Sequence, residues 1–282
     1  MDSHTRQWCE LDWTPWIPLE SENRIYQKYI PAKPGIYRVR AKQGSHFKTG
    51  LFYIGQTGTS LRQRIYSLRN NAFRVSPKPW NDPHTAAPTL WAYRTENHYQ
   101  FEVSVIEKHL SKTSRQCFED YLIFCHRGHH NFSPTANFGV SHPLWNKPSN
   151  RATGRAMKKR KSRACSTSLP RATQINRMDA PDWLGLEWHG PKSLATADPP
   201  PDPGVYNFTM GGTLLYCGES QNLSRRISHY QEGVLREALL NYAVMPSAQP
   251  NHLKEREVDM IGAYFLLKEK CPRFQYTGRL HT

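Results

Sequence analysis

The sequence predicts an α/β (α+β) fold built from two small modules, each a short, mainly antiparallel sheet flanked by helices. Three observations predict it. The chain repeats itself: "PGIYRV" at Pro34–Val39 returns as "PGVYNF" at Pro203–Phe208, and "LFYIGQTGTSLRQRI" from Leu51 returns as "LLYCGESQNLSRRI" from Leu214. Each copy opens with two apolar–aromatic bursts around a turn, as a hairpin does. Each continues into segments whose apolar residues recur every three or four positions, as helices do. With 282 residues the chain has room for two ordinary domains.

In the first copy, Ile36–Arg40 and Leu51–Ile54 read as hairpin strands. Thr59 or Ser60 then caps a helix whose Leu61, Ile65 and Leu68 share one face. Arg64 lies along that face, three residues after Leu61 and four before Leu68. From Phe101, "FEVSVIEKHL" alternates as a third strand. "TSRQCFEDYLIFCHR" then reads as a helix with Glu119 leaning toward Leu122 and Ile123.

The second copy gives strands Val205–Thr209 and Thr213–Tyr216 around a Gly-Gly turn. Arg226 stands between Leu223 and Tyr230 as Arg64 stands between Leu61 and Leu68. Asn251 is a candidate cap for a last helix, on which Glu257 shares the apolar face with Leu253, Met260 and Ile261 while Glu255 does not. An arginine at the edge of a core looks for an anion, and an inward carboxylate looks for a cation or donors.

These divisions give a first module over 1–145 with an insertion around 74–98, a basic flexible linker over 146–178, and a second module over 179–282. The linker holds ten Lys or Arg residues and no acid. Lys158, Lys159, Arg160, Lys161 and Arg163 are its candidate DNA-binding residues. The formal charge of +15 and pI near 9.7 point to a polyanionic partner, nucleic acid first. No apolar run reaches the ~20 residues of a membrane span, and no leader is expected. Six cysteines without a CxxC pair predict reduced thiols and a cytoplasmic location. The segment "CHRGHHNFSPTANFGVSHPLW" reads as a solvated loop, with a histidine–metal nuclease site at His129, His130 and His142 as the competing reading.

Taken in order, Gly35-Ile36-Tyr37, Tyr53-Ile54-Gly55, Arg64, Glu119 and Asn137 resemble the signature of the GIY-YIG nucleases. Gly204-Val205-Tyr206, Tyr216-Cys217-Gly218, Arg226 and Glu257 repeat it. Phe274-Gln275-Tyr276 falls where the family's Asn would stand. The family often has His or Tyr four residues after the helix Arg; this chain has Leu68 in one copy and Tyr230 in the other, and His84 in the insertion is a candidate substitute. The resemblance implies a DNA endonuclease that hydrolyses phosphodiesters with one divalent ion, Mg²⁺ or Mn²⁺, held by Glu119 and by Glu257. It implies catalytic roles for Tyr37, Tyr53, Arg64, Glu119 and Asn137, and in the second copy for Tyr206, Tyr216, Arg226, Tyr230 and Glu257. The arginines would clamp phosphate, and the tyrosines would orient or deprotonate water. Two sites in one chain imply a monomeric pseudo-dimer or a homodimer on DNA. The alternatives are one cutting module with a DNA-binding or structural copy, and a non-enzymatic nucleic-acid-binding protein.

Overall fold

The computed structural model describes residues 11–42, 50–75, 86–139, 142–146, 157–162 and 167–278. In chain order the elements are β1 (Ile17–Pro18), α1 (Asn23–Tyr29), β2 (Gly35–Ala41), β3 (Tyr53–Thr57), α2 (Leu61–Ala72), α3 (Ala87–Asn97), β4 (Phe101–Glu107), α4 (Lys112–His130), β5 (Trp145–Asn146) and β6 (Lys158–Lys159). There follow β7 (His189–Ser193), β8 (Gly204–Met210), β9 (Thr213–Ser220), α5 (Leu223–Ser228), β10 (Leu239–Val244) and α6 (Pro250–Lys268). The fold is mixed α/β with antiparallel sheets, as the hairpins and helical periodicities predict. The chain forms two compact units: Met1–Ser111 with Ser133–Thr167, and Lys112–Phe132 with Ser168–Thr282. Among the described residues no helix is long and apolar enough to cross a membrane.

The first unit carries a four-stranded sheet in the order β1-β4-β2-β3. Its hairpin pairs Tyr37 with Gly55 and Val39 with Tyr53. Ser60 caps α2 by accepting from the Gln63 N–H at 3.2 Å, which satisfies one orphan donor of the first turn. Leu61, Ile65 and Leu68 are fully buried in one cluster with Tyr37, Val39, Phe52 and Val103. The insertion contributes α3, whose Trp91 and Ala92 pack with Trp145 and Met157.

The second unit repeats this plan as β7-β10-β8-β9. Gly211 and Gly212 make the hairpin turn with φ of 53° and 73°. The cap of α6 is Gln249, not Asn251. Pro250 occupies the first helical position, where its fixed φ suits a helix start, and His252 Nδ1 accepts from the Gln249 N–H at 3.2 Å.

The helix that bears Glu119, α4, packs with the second unit. It crosses α6 antiparallel: Phe124 lies over Gly262, where a Cβ would collide with the phenyl ring, and Tyr121 and Phe265 rings meet at 4.9 Å on one side. On the other side the buried Arg127 donates Nε to Asp259 Oδ1 at 2.9 Å and Nη2 to Oδ2 at 3.1 Å. The crossing is self-complementary: with Glu119 matched to Glu257, Phe124 matches Gly262, Tyr121 matches Asp259 and Arg127 matches Phe265.

Two expectations are corrected here. The segment 146–178 is not a uniform tether. Lys158–Lys159 form β6 against β5, and residues 168–175 lie over α6, with Ala172 and Ile175 buried. That cover also buries Glu255, whose face looked polar in the sequence. Its carboxylate accepts from Ser168 Oγ at 2.6 Å and the Leu169 N–H at 2.8 Å and lies 3.5 Å from Arg127 Nη1.

Candidate active sites

The first unit brings Tyr37, Tyr53, Arg64 and Asn137 together. The glycine after each second tyrosine explains how. On β3, Gly55 faces Tyr37 across the hairpin, and a Cβ there would sit 2.6 Å from the Tyr37 Cζ and Oη and 2.5 Å from Tyr53 Cε1. The missing side chain is the space that the two rings occupy, 5.8 Å apart. Arg64 on α2 donates Nε to Tyr37 Oη at 3.3 Å. The edge-lying arginine expected from spacing therefore has the first tyrosine's hydroxyl as a partner.

Asn137 is committed to structure. Its Oδ1 accepts from the Ile54 N–H at 3.1 Å and its Nδ2 donates to the Ile54 carbonyl at 3.0 Å. A side-chain amide thus completes the edge of β3 as a further strand would. Ile54 engages both the oxygen and the nitrogen of the Asn137 amide, so Asn137 positions the strand edge.

The second unit repeats the arrangement and adds to it. A Cβ at Gly218 would lie 2.5 Å from the Tyr206 Cζ and Oη and 2.9 Å from Tyr216 Cε1. Tyr230, the counterpart of Leu68, joins them. The three rings of Tyr206, Tyr216 and Tyr230 stand 6.1 Å from one another, and Tyr206 Oη lies 3.2 Å from Tyr230 Oη. Asn222 holds the start of α5 by accepting from the Arg225 N–H at 2.8 Å, which presents Arg226 to this trio.

Gln275 does in this unit what Asn137 does in the first. The Cys217 N–H donates to Gln275 Oε1 at 3.0 Å, and Cys217 is the middle residue of the second signature as Ile54 is of the first. The flanking backbone repeats too. The Ala136 N–H bonds the Phe52 carbonyl and the Phe274 N–H bonds the Leu215 carbonyl. The Asn137 N–H bonds the Pro134 carbonyl and the Gln275 N–H bonds that of Pro272. Phe138 and Tyr276 both take positive φ, 57° and 61°. The shared pattern is Pro-x-x-Asn/Gln-Phe/Tyr, readable as "PTANF" and "PRFQY" once the copies are aligned.

The electrostatics of the second site follow from burial. Burial raises Tyr206 well above the ordinary tyrosine range, with Tyr216 and Tyr230 adding to it and Arg226 opposing. Tyr216 is raised for the same leading reason. These phenols are neutral at ordinary pH and suit orienting a water better than deprotonating it. Glu257 on α6 is pushed up to about 8, first by burial, then by the charges of Glu219 and Asp120, against Lys254 and Arg226.

Asp120 and Glu219 are not singled out by the sequence reading, and Gln275 and Tyr276 stand in the segment that takes the place of the family's Asn. Glu219 follows the second signature where the first copy has Gln56. Tyr276 Oη donates to Asp120 on α4, whose carboxyl burial raises to about 7 against that hydrogen bond. Glu119 lies half-buried on α4.

Lys158 and Lys159 are exposed on β6, and Lys159 Nζ lies 3.7 Å from Glu96. Arg160 donates Nε to the Trp145 carbonyl at 2.8 Å, and Lys161 is exposed. Arg163 and His84 lie outside the described residues. The histidine segment is not a solvated loop: His129 and His130 close α4, and His126 is fully buried against Phe132. His142 is buried and lies 2.9 Å from Asn97 Oδ1. Among the described residues no group of three or more His, Cys, Asp or Glu is placed to hold a metal ion. Comparison with protein-family models, with curated proteins and with solved structures returns no match, so the resemblance to GIY-YIG nucleases rests on these residues alone.

Proposed function

We propose that the chain is a divalent-metal-dependent DNA endonuclease of the GIY-YIG type, with two phosphodiester-hydrolysing sites in one chain. The observation that carries this reading is the recurrence of one construction. In each unit two tyrosine rings close over a side-chain-free glycine, with an arginine from the following helix beside them.

The residues fit a hard cation in the second unit. Glu257 has no hydrogen-bond or ion-pair partner among the described residues, and two further carboxylates raise its pKa. Glu257 would hold the ion there, and Glu119 is its counterpart in sequence. Such an ion would supply charge neutralisation for the phosphate and leaving oxygen. Arg64 and Arg226 clamp the phosphate and offset its growing negative charge. Tyr37 and Tyr206 orient the attacking water through their hydroxyls, with Tyr53 and Tyr216 packed against them. Asn137 and Gln275 keep the strand edge in place.

A second reading, one cutting unit and one structural or DNA-binding copy, is favoured by the 3.2 Å contact of Tyr206 Oη with Tyr230 Oη, which engages in the second unit the hydroxyl that would orient water.

Plasmid cleavage with Mg²⁺ separates the readings. Glu119→Gln and Glu257→Gln should each leave nicked circles, and the double variant should lose at least ~100-fold in rate, as should Arg64→Ala, Arg226→Ala combined. Native cutting by the folded double variant would overturn the proposal. Linearisation by Glu257→Gln at the native rate, with none by Glu119→Gln, in a chain that sediments as a monomer, would establish the single-site reading.

A further inference from the structure

Behind the hairpin of the second unit, away from the tyrosine trio, lies a cavity of about 740 Å³. That is the size of a small-ligand site. Its lining includes Asn207, Asn241, Trp188, Leu214, Leu239 and Lys268. None of these has a part in the cleavage chemistry above.

The cavity has a built polar floor. Asn207 on β8 and Asn241 on β10 are register partners, and Asn241 Nδ2 donates to Asn207 Oδ1 at 3.0 Å. That bond leaves Asn207 Nδ2 and Asn241 Oδ1 without a protein partner among the described residues. Asn207 as a whole is 3% exposed and lines the cavity. Asn241 also sits where the pairing of β10 with β7 skips a residue, between Leu240–Lys192 and Tyr242–His189. Bulges of this kind re-aim side chains beside sites. Gly190, opposite the bulge, leaves room for Asn241 Oδ1, which would lie 3.0 Å from a Cβ there.

The first unit shows what kind of group this space takes. There the register pair is Arg38 and Ser104, with Arg40 two residues on. The Arg38 guanidinium lies 4.3 Å from the Trp13 ring centroid and 4.7 Å from that of Trp16, and its Nε donates to Ser104 Oγ at 3.5 Å. Arg40 lies 4.2 Å from Trp16. A flat, nitrogen-bearing group stacked on tryptophan fills this face of the first unit from its own chain. In the second unit Asn207 and Thr209 replace both arginines. The tryptophan motif persists as Trp183 stacked on Trp188 at 5.6 Å. Asn207 and Thr209 both line the cavity.

We propose that this cavity binds a nucleobase, with its edge on the Asn207–Asn241 pair and its ring against Trp188. The pair presents one donor beside one acceptor. Every base carries an acceptor next to an N–H donor on its Watson–Crick edge, which matches that pattern, and asparagine reads base edges through such bidentate pairs. A guanidinium only donates and would leave the Asn207 donor unanswered. Base stacking on an aromatic wall adds sequence-tolerant affinity. Lys268 supplies positive charge at the lining for a base still attached to its phosphate. The site is distinct from the tyrosine trio and does not depend on either unit cutting DNA.

The test is calorimetric titration of the intact chain with the four uncharged deoxynucleosides, so that phosphate affinity elsewhere plays no part. At least one should bind with Kd of about 1 mM or tighter. Asn241→Ser and Asn207→Arg, which install the first unit's residues, should weaken it at least ~10-fold while the melting temperature stays within a few degrees. Trp188→Leu should weaken it as well. A single-stranded octamer of the preferred base that binds more tightly, and still depends on Asn241, identifies a DNA strand as the source. An octamer no tighter than the nucleoside identifies a free base or nucleoside. Failure of all four deoxynucleosides to bind at 10 mM would overturn the proposal. So would binding of N-acetylarginine amide in their place, or nucleoside affinity that Asn241→Ser leaves unchanged.

Discussion

The two ends of the α4–α6 crossing solve one packing problem with opposite chemistry. One end is the aromatic contact of Tyr121 with Phe265. The matching end is the buried ion pair of Arg127 with Asp259, backed by Glu255 and by Arg256 Nη1 at 2.8 Å from Asp259. Both occupy equivalent positions around Phe124 and Gly262. The aromatic end holds by area and ring contact alone. The ionic end holds only because every charge has a partner, and those partners also fasten residues 168–172: the Ala172 N–H reaches Asp259 and Ser168 reaches Glu255. A repeated sequence can thus keep a shape and exchange its energetics, with the ionic version recruiting a segment that the apolar version does not need.

The sharpest way to break that comparison is to remove one charge. Arg127→Phe alone should leave the buried Glu255 without its cation and Asp259 with Arg256 as its one remaining cation, and should cost about 3–5 kcal/mol in denaturant unfolding, because breaking a buried ion pair is expensive. Adding Asp259→Tyr copies the aromatic end and should recover most of the loss. A single variant as stable as the native chain would show that the ion pair is not what closes this end.

A smaller difference separates the two strand-edge amides. Asn137 makes two hydrogen bonds to Ile54, and Gln275 has one to Cys217. Asn137→Ala should cost about 2–3 kcal/mol and Gln275→Ala about 1 kcal/mol, read as shifts of the urea midpoint at unchanged slope. Equal costs would mean that the backbone bonds of the two loops, and not the amides, hold the edges.

The smallest effect is conditional on pH. Burial and neighbouring carboxylates raise folded Glu257 to about 8, against an ordinary value of 4.5. A raised folded pKa means that its contribution is fully present below pH 4.5 and is lost as pH rises through 8. Glu257→Gln should therefore melt about 2–4 °C higher than the native chain at pH 8.5 and no higher at pH 4.5. Mg²⁺ should raise the native melting point at pH 8.5 more than it raises the variant's. A pH-independent difference would argue that Glu257 is an ordinary surface carboxylate.

Much of this was legible in the residues. Spacing alone separated the two copies, put the tyrosine tripeptides on the two strands of each hairpin, and set Arg64 and Arg226 on matching helix positions. Those features depend on neighbours a few residues apart and on the period of a strand or helix. The return of Gln275 to the strand edge was half-legible, since its backbone pattern survives while the residue type changes.

The sequence by itself determined the repeat, the hairpins and the tyrosine–arginine sets, because each is written in local order. Tertiary structure alone decided that α4 leaves its own copy to pack on α6, and that residues 168–175 bury the polar-looking Glu255. It also decided that Leu239–Val244 enters the sheet interior, and that a cavity opens beside Asn207 and Asn241. Each of these is a question of which surfaces and volumes meet between segments tens of residues apart in the chain, and side-chain periodicity carries no record of the partner.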